Sequence, residues 1–145
     1  MLKCDIADGA KHYYYPVTNS RGDIMDIHNG PGEITAKYNY DAWGKLLSVT
    51  DANGNVLPKT SFAYKISVRY RGYEYDAETG LYYLQSRYYD PAIGRFVNAD
   101  SYASTGQSVI GHNMYAYCNN NPLCNIDASG TIFFTALGAV TGFIS

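Results

Sequence analysis

The sequence predicts a mainly β protein assembled from short hairpins, and three observations predict it. Tyrosine and glycine dominate the composition, with 16 Tyr and 14 Gly against one Trp and five Phe. A Tyr-Asp turn unit that ends in Gly recurs along the chain. Helix signals are scarce. A Tyr ring buries a large surface yet keeps a hydroxyl that needs a partner, which suits half-buried sheet, while Gly supplies the tight turns between strands.

Taken in order, the chain starts on Met1-Leu2-Lys3-Cys4-Asp5, which lacks the apolar run of a signal peptide. Arg21-Gly22-Asp23 spells an adhesion tripeptide, but the same residues read better as a turn: Gly22-Asp23-Ile24 echoes Gly44-Lys45-Leu46 at an offset of 22. His28-Asn29-Gly30-Pro31-Gly32 and Asp51-Ala52-Asn53-Gly54-Asn55 read as hairpin tips. Between them the Tyr-Asp unit appears first as Tyr40-Asp41-Ala42-Trp43-Gly44. It returns as Tyr75-Asp76-Ala77-Glu78-Thr79-Gly80 and as Tyr89-Asp90-Pro91-Ala92-Ile93-Gly94. In each unit Asp bonds its own backbone at the turn start and Gly takes the positive φ that closes it. Thus Asp41 and Gly44, Asp76 and Gly80, and Asp90 and Gly94 are the expected turn residues. The flanking residues alternate, as in Tyr38 and Tyr40 or Tyr73 and Tyr75.

Beyond these units a short helix near 103–117 is conceivable, weakened by Gly106 and Gly111. Residues 131–145 carry no charge and fall short of the roughly 20 residues that a membrane helix requires. They are readable either as a helix, with Ala136, Gly138, Ala139 and Gly142 for close packing, or as an apolar strand and turn; a membrane role stays open through this segment. Repeats of this kind bury their faces only by stacking on neighbours. Because the start enters mid-pattern and the tail stops mid-segment, the chain is expected to be part of a longer one.

Composition excludes several function classes. Eleven basic and 13 acidic residues give a formal charge of −2 with no block of like charge, so no nucleic-acid partner is expected. Cys4, Cys118 and Cys124 are too few and odd in number for a disulfide framework, although a Cys118–Cys124 bridge stays open beside two plain thiols. His12, His28 and His112 show no ligand spacing, and no phosphate-cradling loop or nucleophile elbow is present, so neither metal nor cofactor is expected.

Three stretches carry a family resemblance. Tyr38–Asn55, YNYDAWGKLLSVTDANGN, resembles a YD repeat of the Rhs family. Arg69–Ser101, RYRGYEYDAETGLYYLQSRYYDPAIGRFVNADS, closely resembles the Rhs repeat-associated core. Gly111–Gly130, GHNMYAYCNNNPLCNIDASG, resembles the end of that core. The resemblance implies a β-cage that winds around a C-terminal polymorphic toxin, secreted or at the cell surface. On this pattern residues 1–60 are a partial YD-repeat region, 61–130 the core, and 131–145 the start of a variable C-terminal segment. The implied partners are the remainder of the same shell, the C-terminal effector and an immunity protein for that effector. A toxin-free surface adhesin, as in teneurins, and a gene fragment with no function of its own are the alternatives.

The same resemblance implies a self-cleaving aspartyl site built on two Asp-Pro-x-Gly motifs with an upstream Arg. The matching residues are Asp100 and Asp127, which lie 27 positions apart, and Arg87, with Arg95 as the alternative. Where the pattern has Pro this chain has Ser101 and Ala128, and Ala103 replaces the first Gly, whereas Gly130 keeps the second. Two close carboxylates do not both ionise cheaply, so one would keep a proton while the other activates water. Cleavage would fall just after Gly130, around Thr131 or Ile132.

Overall fold

A computed structural model describes residues 2–5, 11–99, 115–130 and 133–135. The chain divides into two compact units, Met1–Gly72 and Tyr73–Ser145. As the composition predicts, both are built mainly from antiparallel strands joined by tight turns.

The first unit is a five-stranded meander of β1 (Leu2–Asp5), β2 (Lys11–Thr18), β3 (Ile24–His28), β4 (Ile34–Tyr40) and β5 (Leu46–Thr50), in that spatial order. Alternation along the strands decides which side is buried. Tyr14, Ile24, Ile27, Ala36, Tyr38 and Val49 form the core, joined by Ala63 and Ile66, while Tyr13 and Tyr15 on β2 stay exposed. The buried Tyr38 hydroxyl is satisfied by the carbonyl of Ala63 at 2.6 Å, in a short 3-10 helix, Phe62–Lys65.

Four tips with one backbone plan close these strands: Asn19–Asp23, Asn29–Glu33, Asp41–Lys45 and Asp51–Asn55. In each, the amide of the fourth residue donates to the carbonyl of the first, and the amide of the first donates to the carbonyl of the fifth. This is a type I turn followed by a bulge residue in the left-handed region, and Gly22, Gly32, Gly44 and Gly54 all take that place with φ between +83° and +91°. Asn19 and Asn29 do the work of Asp41 and Asp51, since their side-chain oxygens accept the same tip amides. The tips therefore repeat every 22 residues at both ends of the sheet, from 19 to 41 and from 29 to 51. Asp23 is 3% exposed, donated to by the Asn19 amide and the Arg71 backbone, which removes Arg21-Gly22-Asp23 as an exposed adhesion loop.

The second unit carries the four-stranded meander β6 (Glu74–Asp76), β7 (Leu81–Tyr83), β8 (Tyr88–Asp90) and β9 (Arg95–Phe96), and a two-stranded pair, β10 (Asn125–Asp127) with β11 (Phe133–Thr135). Asp76–Gly80 joins β6 to β7 and Asp90–Gly94 joins β8 to β9. These loops are one residue longer than those of the first unit, with the Gly amide donating to the Asp carbonyl four residues back. Tyr75, Tyr82, Tyr89 and Phe96 stand opposite one another across the four strands. They are spaced every seven residues in the sequence. Their rings make a continuous row, with neighbouring centroids 5.1, 6.4 and 6.0 Å apart.

Of the helix considered near 103–117, most lies outside the described residues, and its described end is not helical: Ala116 bridges to Arg95. Within 131–145, the described part is strand β11. Among the described residues no helix is long and apolar enough to cross a membrane. Cys118 is buried and Cys124 exposed, and they are not bridged.

Candidate functional site

The aromatic row of the second unit is also what positions a buried charge. Arg87 immediately precedes β8, two residues before Tyr89, so its side chain falls on the same face as the aromatic row. Its guanidinium lies 3.5 Å over the Phe96 ring. Stacking on the ring covers one guanidinium face while leaving the planar N–H edge for acceptors.

Those acceptors come from the far end of the unit. Before β10 the backbone runs through three successive left-handed residues, Cys118, Asn119 and Asn120, with φ of 50°, 52° and 59°. Asn tolerates the left-handed region, but at Cys118 it costs about 1–2 kcal/mol, so the turn is held there by its surroundings. Asn125 supplies part of that hold, bonding the Cys118 carbonyl at 2.9 Å. The reversal delivers Asp127, at the end of β10, to Arg87.

Arg87 Nη2 stands 3.7 Å from Asp127 Oδ2, with the two side chains only 6% and 3% exposed. The other carboxylate oxygen is bound by its own turn: Oδ1 accepts the amides of Ser129 at 3.3 Å and Gly130 at 2.7 Å. Arg87 Nε donates to the Gly130 carbonyl. A buried carboxylate needs a counter-charge and bonded oxygens, and Asp127 has both. Gly130 sits at φ +76°, and an added Cβ would come within 2.8 Å of Ser86 Oγ and 2.9 Å of the Leu84 carbonyl. Backbone conformation and space both demand glycine there.

The structure thus gathers Arg87, Asp127 and Gly130 into one buried cluster. Asp100 and Thr131 lie outside the described residues. Arg95, the alternative arginine, is exposed on β9. Asp41, Asp76 and Asp90 with Gly44, Gly80 and Gly94 are hairpin-tip residues, and Gly44 is packed against the ring of Tyr70. Sequence reasoning missed Tyr73 and Ser86. The Tyr73 hydroxyl bonds the Asp127 carbonyl and lies 3.0 Å from the Tyr117 hydroxyl, and Ser86 Oγ donates to the Ser129 carbonyl at 2.6 Å. Among the described residues no group of three His, Cys, Asp or Glu side chains is placed to hold a metal ion.

A family model described as the teneurin YD-shell matches residues 4–123. The chain belongs to this YD-shell family. Over 123 residues it is 41% identical to the tRNA3(Ser)-specific nuclease WapA of Bacillus spizizenii, a match that covers 85% of this chain and 5% of the relative. The tRNA nuclease WapA of Bacillus subtilis is 42% identical over 120 residues, covering 83% of this chain and 5% of that protein. Among solved structures, the TcdB2-TccC3-Cdc42 crystal structure matches with a TM-score of 0.67 and 31% identity over 88% of this chain and 5% of that one. The YD-shell chain thus spans about 5% of the length of these relatives. It is YD-shell of the kind found in Rhs and Tc toxin-type proteins. Asp127 and Gly130 lie just beyond the stretch that the family model matches, which ends at residue 123.

Proposed function

We propose that this chain is a wall segment of a secreted or surface-exposed toxin shell that encloses a C-terminal effector, and that its second unit carries one half of a self-cleaving aspartyl site. Family membership and the toxin relatives support the shell reading. The buried Arg87–Asp127 pair, tied to the Gly130 carbonyl, is the single observation that carries the site. An aspartate that only shapes a turn needs no buried arginine.

In this reading Arg87 balances the charge of Asp127, which takes a proton from water as the hydroxyl attacks the carbonyl of the peptide bond just after Gly130, around Thr131. Asp100 gives its proton to the departing amine. The peptide C–N bond breaks, leaving a carboxylate on the shell and a free amino group on the segment that follows. The two carboxylates would titrate as a pair. The partners are the rest of the shell and the effector, with an immunity protein acting on the effector.

Intact mass of the purified chain tests the chemistry, with Asp100→Asn and Asp127→Asn measured beside it. The expected result is a wild type shortened by the segment after Gly130 and two full-length variants. A full-length wild type would leave the shell role standing and reduce both aspartates to turn formers.

A further inference from the structure

The turn Asp127–Gly130 is held in an unusual way. Three of its four backbone carbonyls, those of Asp127, Ser129 and Gly130, receive a side-chain donor. The donors are Tyr73, Ser86 and Arg87, all remote in sequence, with separations of 54, 43 and 43 residues. An Asx turn needs none of this. The Asp51 tip closes with its own backbone bonds and the side chains of its two end residues, Asp51 and Asn55.

Two of the donors come from a strained hairpin. Leu84–Arg87 links β7 to β8, with the Leu84 amide donating to the Arg87 carbonyl and the Ser86 amide to the Leu84 carbonyl at 2.7 Å. With φ of +64° at Gln85, this i to i+2 bond makes the rarer, positive-φ form of the γ-turn. Strain of this kind persists where the surroundings over-determine the backbone. Its result here is that Ser86 and Arg87 face adjacent carbonyls of one turn. Tyr73 bonds the Asp127 carbonyl, its ring edge-on to Tyr82 and Tyr117 at 6.2 and 6.4 Å.

We infer that Tyr73 and Ser86 are positioning residues: they clamp the carbonyls of Asp127 and Ser129 so that the Asp127 carboxylate and the Gly130 carbonyl hold one fixed geometry against Arg87. This rests on the self-cleavage proposed above. Neither residue touches the reacting atoms; each acts through the backbone that carries them. Ser86 is itself exposed, so the bond it makes contributes little to burying core. Removing a clamp bond loosens the spacing between acid and carbonyl, and a displacement of about 1 Å at a reacting centre costs on the order of a hundredfold in rate.

The test follows cleavage of the full chain by intact mass over time, for wild type, Ser86→Ala, Tyr73→Phe and Asp127→Asn, across a pH series. Tyr73→Phe keeps the packed ring, and Ser86→Ala alters an exposed side chain, so the fold is retained; a denaturation curve for each verifies this. Both are expected to cleave at least roughly tenfold more slowly than wild type at every pH, with the pH midpoint unmoved for Ser86→Ala because no titrating group is lost. Wild-type rates in both folded variants would overturn the clamp while leaving the aspartyl site intact. An uncut wild type would instead remove the aspartyl reading itself, and the positioning role with it.

Discussion

Asp51 in the first unit and Asp127 in the second each cap their own turn with two backbone amides, and their surroundings differ. Asp51 Oδ1 accepts the amides two and four residues ahead, at 2.8 and 2.9 Å. Asp127 Oδ1 accepts those two and three ahead, at 3.3 and 2.7 Å. Asp51 is at an exposed tip, its second oxygen taken by the Asn55 side chain at 2.9 Å. Asp127 is buried, its second oxygen turned to Arg87. Within the same Asp-Ala-x-Gly motif, burial and a dedicated counter-charge thus set Asp127 apart from a plain turn former and make it a candidate general base.

That contrast is broken most strongly at Arg87. Replacing Arg87 by Met leaves a buried carboxylate without its cation, which costs about 3–5 kcal/mol. The loss should appear in unfolding of the second unit, monitored by denaturant titration. A loss no larger than about 1 kcal/mol, the scale of a surface ion pair, would mean that Asp127 is solvated like Asp51.

Glycine substitutions sharpen the comparison within the first unit. Gly44 and Gly54 share nearly the same φ, +87° and +88°. At Gly54 an added Cβ meets nothing, so Gly54→Ala should cost only the left-handed conformation, about 1–2 kcal/mol. At Gly44 the Cβ would sit 2.4 Å from a Tyr70 ring carbon, so Gly44→Ala should cost about 1–3 kcal/mol more. Equal losses in thermal or denaturant unfolding would show that the Tyr70 ring moves aside freely.

The choice between Asn and Asp at the tips spans effects from that size down to the smallest. Asn19 donates its amide to the buried Asp23 carboxylate at 2.7 Å, so Asn19→Asp sets two carboxylates together and should cost about 1–3 kcal/mol. Asp51→Asn keeps one accepting oxygen but loses the one that Asn55 Nδ2 bonds, so it should be slightly destabilising at pH 7. Its signature lies in acid. Asn55's side chain, followed by its backbone amide, holds the Asp51 carboxyl below its usual range, and the Thr79 hydroxyl does the same for Asp76. A depressed folded-state pKa gives stability that is present above the unfolded value, near 4, and is lost as the pH falls through the folded one. Asp51→Asn should therefore flatten the acid limb of the stability curve slightly. An unchanged limb would remove Asp51 as a contributor.

The β class and the hairpin tips were legible because their signals are local: Asp or Asn, then Gly three or four residues on, between aromatic strands. Asn29 falls within a tip legible in the sequence, whereas Asn19 carries no Tyr-Asp signature. Reading Asn as equivalent reveals the repeat from Asn19-Ser20-Arg21-Gly22 to Asp41-Ala42-Trp43-Gly44. The seven-residue spacing of Tyr75, Tyr82, Tyr89 and Phe96 was also in plain view, hidden among other tyrosines. Arg87 and Asp127 came from the family resemblance alone, since a separation of 40 residues leaves no periodic trace. Tyr73 and Ser86 had no signal, for their partners are backbone carbonyls, which any residue supplies.

Backbone amide hydrogen exchange in the full-length chain, read at Gly130 and Gly54, tests the built turn most directly. Both are glycines at positive φ in Asx turns. The Gly130 amide is buried on the Asp127 carboxylate under the clamp, so it should exchange at least about a hundredfold more slowly than the Gly54 amide of the exposed tip. Comparable rates at the two glycines would contradict the account and make Asp127 one more hairpin aspartate.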